Sequence, residues 1–140
     1  MCRLPGEVRE VLHGYGFRQA ELEKLPEAPG TYLLILRVSR ASVRTKAKRF
    51  EIEPGRYLYV GSALSVSARV GRHLRREKRK HWHIDFLLEH AVVEGVLVAE
   101  ARVEQEVALV LCRLLPHVRG FGCSDSKAVS HLFVLEPCTT

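Results

Sequence analysis

Gly30-Thr31-Tyr32-Leu33-Leu34-Ile35-Leu36-Arg37-Val38 is apolar on both of its alternating faces: Tyr32, Leu34, Leu36 and Val38 on one, Leu33 and Ile35 on the other. A strand with one wet face alternates apolar and polar residues. A strand without that alternation needs cover on both sides. The stretch therefore predicts a central strand between two packed layers. Pro26-Glu27-Ala28-Pro29, just ahead of it, breaks any helix and launches the strand.

Working outward, Arg40 to Arg49 reads as a basic, turn-like segment, and Phe50-Glu51-Ile52-Glu53 as a short strand. Pro54-Gly55 makes a turn into a second core strand over Arg56 to Gly61. Ser62 or Ser65 caps a helix running to about Lys80. Ile84, Leu87, Leu88 and Ala91 predict a further helix over about 83–90, and the β-branched Val92 to Ala99 a third strand, interrupted at Glu94-Gly95. Val103 to Leu115 carries the clearest helical stripe (Val107, Ala108, Leu111, Leu114, Leu115) and ends at Pro116. Gly120-Phe121-Gly122-Cys123-Ser124-Asp125 is a Gly-rich loop, and His131 to Leu135 a closing strand. Upstream, 6–13 and 17–24 show looser helical periodicity.

With 140 residues and 46% hydrophobic content, the chain makes one domain with a real core and no need of disulfides. No apolar run nears the roughly 20 residues that cross a bilayer. Met1-Cys2-Arg3-Leu4-Pro5 lacks the apolar segment of a signal peptide, so a cytoplasmic protein with no membrane partner is expected. A net charge of +6 and a pI near 9.4 favour a polyanionic partner. The absence of Asn, with two Gln and one Met, fits a thermophilic source. Cys2, Cys112, Cys123 and Cys138 form no Cys-x-x-Cys pair, which argues against structural zinc. Cys112 reads as a helical core residue, and a Cys123–Cys138 disulfide stays open.

Several residues have types suited to chemistry. Alternation puts Tyr57 and Tyr59 on one strand face, and Gly61 ends that strand with no side chain to obstruct a ligand. Strand tyrosines are commonly core, so the tripeptide Tyr59-Val60-Gly61 is weak evidence alone. Arg69 and His73, four residues apart, share a helix face. From Arg69 to Lys80 seven cations (Arg69, Arg72, Arg75, Arg76, Lys78, Arg79, Lys80) face a single Glu77. Such a run is either a solvated face or a phosphate-binding one, with Trp82, His81 and His83 adjoining as stacking surfaces. Glu104 falls on the inward stripe of its helix and needs a partner: a metal, an Arg, or the helix N-terminus. His81, His83 and Asp85 offer a rival three-ligand transition-metal site.

Together, Gly30-Thr31-Tyr32, Tyr59-Val60-Gly61-Ser62, Arg69, His73 and Glu104 resemble the GIY-YIG nuclease superfamily. The chain is similar to a small prokaryotic branch of it, in some genomes fused to endonuclease III-like glycosylases. Tyr59-Val60-Gly61-Ser62-Ala63, Arg72-His73-Leu74 with His81-Trp82-His83-Ile84-Asp85, and Gly120–Asp125 with Ser130-His131-Leu132-Phe133 carry that likeness, over about residues 26–135. Thr31 stands where the first tripeptide usually has an aliphatic residue. Ser126 and Ala128 stand where the branch often has cysteines.

The resemblance implies an α/β (α+β) fold: a small mixed, largely antiparallel sheet of three core strands plus short extra strands, flanked by helices. It implies hydrolysis of DNA phosphodiesters in repair or processing, in association with DNA-repair enzymes; the choice between DNA and RNA stays open. In that reading Tyr59 is the general base and Tyr32 positions its network. Arg69 stabilises the pentacovalent phosphate, His73 holds Tyr or phosphate in register, and Glu104 binds one Mg²⁺ or Mn²⁺. Arg72, Arg75, Arg76, Lys78, Arg79, Lys80, His81 and His83 hold DNA, while Gly61, Ser62, Ser124, Asp125 and His131 line the cleft. A non-catalytic nucleic-acid-binding module of the same fold is the competing expectation. It needs only the cations, whereas this chain carries every acid, base and metal position.

Overall fold

The computed structural model describes residues 4–44, 48–75, 83–122 and 130–137. Helix α1 (Gly6–Gly14) precedes strands β1 (Arg18–Ala20), β2 (Gly30–Val38), β3 (Ala41–Arg44), β4 (Arg49–Ile52) and β5 (Gly55–Ala63). Helices α2 (Val66–Leu74) and α3 (His83–Leu87) follow, then β6 (Ala91–Ala99), α4 (Glu104–Leu114) and β7 (Leu132–Pro137). Five strands form one sheet, ordered β1-β6-β2-β5-β7, and each neighbouring pair is antiparallel. β3 and β4 pair separately.

β2 is the middle strand, as its two apolar faces require, and it divides the interior. Tyr32, Leu34 and Leu36, with Tyr57 and Tyr59 of β5, pack with α2, α3 and the β3–β4 pair. Leu33, Leu58 and Val60 pack with α1 and α4 through Val8, Leu12, Val107, Ala108 and Leu111.

Three expected elements differ. The helix over 17–24 is absent because α1 closes in a Schellman-type cap. Gly16 takes φ +87°, its N–H bonds the His13 carbonyl at 2.9 Å, and the Phe17 N–H reaches back to Leu12 at 3.0 Å. Phe17 is thereby buried against α1 and α4, and Arg18–Ala20 becomes an edge strand on Val96–Val98. The turn-like Arg40–Arg49 segment contains β3. Its Ala41 and Val43 are buried and Ser42 and Arg44 exposed, a period of two hidden in basic composition. Finally, Ser65 does cap α2, accepting the Ala68 N–H at 3.3 Å, but the helix ends at Leu74 with Arg75 extended. Past α3, Leu88–His90 continues as one 3₁₀ turn.

Candidate functional site

Tyr32 stands opposite Gly61 in the β2–β5 register, and Tyr59 lies two residues earlier on β5, diagonal to Tyr32 on the same face. A Cβ at 61 would overlap the Tyr32 ring and hydroxyl, so glycine is what leaves room for the phenol. The Tyr32 hydroxyl meets His73 Nε2 at 2.7 Å. Val66, Val70 and His73 form the buried stripe of α2, which carries the imidazole inward. Its ring lies 5.6 Å from that of Tyr32 and 6.3 Å, edge-on, from that of Tyr59. One turn earlier, Arg69 Nη1 donates to the Ser62 carbonyl at 3.3 Å.

Burial pushes both phenols above their ordinary range. For Tyr32 the Arg69 guanidinium opposes this by charge and hydrogen bond, while Glu104 and Asp85 add to it. Tyr59 is raised further by Tyr32 and Glu104, against the pull of Arg69. Both tyrosines are therefore neutral hydroxyls in the protein alone.

Glu104 opens α4. The body of that helix covers the sheet face opposite the tyrosines, and Glu104 joins them only because it sits at the helix start, where its charge acts on both phenols. Its side chain is 31% exposed and so stands at the rim, not inside as the helical stripe predicts; Oε2 is 3.6 Å from His131 Nδ1. His131 is buried, with Nδ1 3.2 Å from the Val60 carbonyl. Thr31 anchors this corner: its hydroxyl donates to the Ala101 carbonyl at 2.8 Å and accepts the Val103 N–H at 2.8 Å. Thus the position with an unusual residue in the first tripeptide tethers the turn that presents Glu104.

Among the described residues no group of three or more His, Cys, Asp or Glu side chains could cage a metal. A half-exposed carboxylate fits a hard divalent ion that takes its other oxygens from water and substrate.

Residues 31–140 match the family described as a domain of unknown function, DUF123. The chain belongs to the DUF123 family. No curated protein and no solved structure matches it significantly.

The other expected site residues of this DUF123 protein divide into four groups. Ser62, one residue before the end of β5, lies beside Arg69, and Gly122 closes over the site, where a Cβ would sit 3.5 Å from Tyr59 and 3.4 Å from His131. Two of the expected DNA-binding cations have internal partners. Arg72 forms a bidentate pair with the fully buried Asp85, at 2.7 and 2.9 Å, which raises its own pKa further. His83 Nδ1 accepts the Gly122 N–H at 2.8 Å against Phe50 and Phe121, and burial, then Lys48, keeps it neutral. The same two bonds engage Asp85 and His83 of the rival transition-metal set, whose third member, His81, lies outside the described residues. Arg75 is exposed at the end of α2. Arg76, Lys78, Arg79, Lys80, His81, Ser124 and Asp125 lie outside the described residues, as do Cys2, Cys123 and Cys138. Cys112 is a free, half-buried thiol. Among the described residues no helix is long and apolar enough to cross a membrane.

Sequence reasoning missed Arg102, whose Nη2 lies 3.5 Å from Ser62 Oγ. A lone arginine two residues before a helix carries no periodic signal.

Proposed function

We propose that this DUF123 protein is a cytoplasmic, divalent-metal-dependent endonuclease of the GIY-YIG type, related to the branch fused in some genomes to endonuclease III-like glycosylases. It hydrolyses DNA phosphodiesters in repair or processing. The observation that carries this reading is the 2.7 Å Tyr32–His73 bond, made beside Tyr59 and Arg69 at one strand end by residues from three separate elements.

In this mechanism the phosphate binds over Ser62, against the Arg69 guanidinium, which stabilises charge building on its equatorial oxygens. Glu104 is the residue that would hold a Mg²⁺ or Mn²⁺, which would supply further positive charge near the reacting phosphate. Tyr32 is committed to His73, which fixes the imidazole and the geometry around it. Tyr59, once deprotonated, accepts the proton of the attacking water. Arg69 favours the Tyr59 phenolate against burial, and contact with phosphate spends part of that help. Base function at Tyr59 therefore improves with pH.

One observation favours a non-catalytic binding module instead: both phenols are held protonated, and a binder has no use for either as a base. Incubation with branched, nicked and single-stranded DNA, in Mg²⁺ or Mn²⁺ against EDTA, separates the two. Divalent-dependent products support the nuclease. Tight binding without products supports the module.

A further inference from the structure

The corner of the molecule that ends β5 brings together two guanidiniums from distant parts of the chain. Arg69 of α2 donates to the Ser62 carbonyl, and Arg102, from the turn before α4, reaches the Ser62 hydroxyl. Arg102 is held from both sides. The buried Thr31 hydroxyl bonds the carbonyl of Ala101 and the N–H of Val103, the residues flanking it. These bonds fix the backbone from which the guanidinium extends, so the turn itself need not be ordered when an anion arrives. Among the described residues no carboxylate lies within ion-pair distance of Arg102. Ser62 pairs with Thr31, so its hydroxyl is on the α4 side of the sheet, one residue along β5 from the Gly61 over which Tyr32 lies.

The geometry points to Arg102 as a phosphate-binding residue that works with Arg69 across Ser62, forming a two-sided cradle for a nucleic-acid backbone phosphodiester. This rests on the nucleic-acid reading above and adds a contact outside the tyrosine, histidine and glutamate set. A planar guanidinium suits the task because it offers paired N–H donors to two phosphate oxygens. The Ser62 hydroxyl, now 3.5 Å from Arg102, is placed to donate to a third.

The test is equilibrium binding of a fluorescent single-stranded DNA oligonucleotide in EDTA, over a range of salt concentrations, so that no turnover is involved. Arg102→Ala is expected to weaken binding about 3- to 10-fold near 0.1 M salt and to reduce the slope of log K against log salt by about 0.7, one single-strand phosphate contact. Arg102→Lys keeps the charge and restores the slope but not the full affinity. Arg113→Ala, an exposed cation near the other end of α4, leaves both unchanged. Inorganic phosphate that competes only at concentrations far above the oligonucleotide indicates a backbone site rather than a free-phosphate site. An Arg102→Ala slope equal to the parent's overturns the cradle, even where the parent cleaves DNA in Mg²⁺. A reduced slope in a parent that never cleaves upholds the cradle and overturns the nuclease.

Discussion

The Tyr32 ring lies across Gly61, its opposite residue on β5, and from there its hydroxyl reaches His73 Nε2 at 2.7 Å. The bond between strand and helix thus depends on an absent side chain on a second strand. Glycine weakens a strand interior, so its presence in β5 is explained by what it admits.

Gly61→Ala tests this directly. The added methyl overlaps the phenol, and overpacking of this kind costs about 1–3 kcal/mol. Chemical denaturation should show that loss, and divalent-dependent cleavage should fall as Tyr32 leaves His73. Gly71→Ala is the control, since a Cβ there meets nothing within 4 Å and alanine favours the α2 helix. Equal stability of the two variants would show that Tyr32 is not seated over Gly61.

Arg72 and Arg75 should behave differently although both belong to the basic run. Arg72→Ala removes the bidentate partner of the fully buried Asp85, and breaking a buried pair costs about 3–5 kcal/mol. Its main effect should be a lower melting temperature. Replacing Arg75, Arg76, Arg79 and Lys80 together should flatten the salt dependence of DNA binding. An unchanged slope would make that run a solvated face.

Burial also sets an alkaline limit to stability. Tyr32 and Tyr59 have folded pKa values raised above the value of about 10 expected in the unfolded chain, and Tyr57 shifts the same way. Above pH about 10 the unfolded chain releases these protons first, so the native state binds more protons and stability falls as pH rises. The contribution is full below the unfolded value and is lost on the way up to the folded ones. Urea midpoints measured from about pH 8 to about pH 11 should therefore decline, and Tyr32→Phe with Tyr59→Phe should flatten the decline. A parent midpoint independent of alkaline pH would mean the phenols are not desolvated.

The legible part of this site is what a strand or helix repeats. Period two places Tyr32 and Tyr59 on one face once the β2–β5 register is known, and period 3.6 places Arg69 and His73 on one side of α2. The remainder depends on contacts between elements. Gly16 stops α1 through a backbone conformation, so helical spacing beyond it says nothing. Thr31 looks like a conservative replacement for an aliphatic residue, yet its hydroxyl bridges two backbone groups about 70 residues downstream. Arg72 and His83 look like surface cations, and their partners, Asp85 and the Gly122 N–H, become visible only when α2, α3 and the loop meet.

Glu104 yields the most decisive prediction. It starts α4 at the rim of the site, 31% exposed, with its charge acting on both phenols and His131 3.6 Å away. Glu104→Gln conserves volume, and a partly exposed pair of this kind is worth within about 1 kcal/mol, so the fold and its melting temperature should change little. DNA binding in EDTA should stay near the parent's or tighten, since a negative charge leaves a phosphate site. Cleavage should fall by orders of magnitude, because the ligand for the divalent ion is lost while substrate binding is kept. A second readout is independent of turnover: removing the carboxylate takes away a negative charge that raises Tyr32 and Tyr59, so both should ionise at lower pH in a spectrophotometric titration. Lower phenol pKa values with undiminished cleavage would place Glu104 beside the site but not in the reaction. Lower pKa values with lost cleavage would assign it the metal.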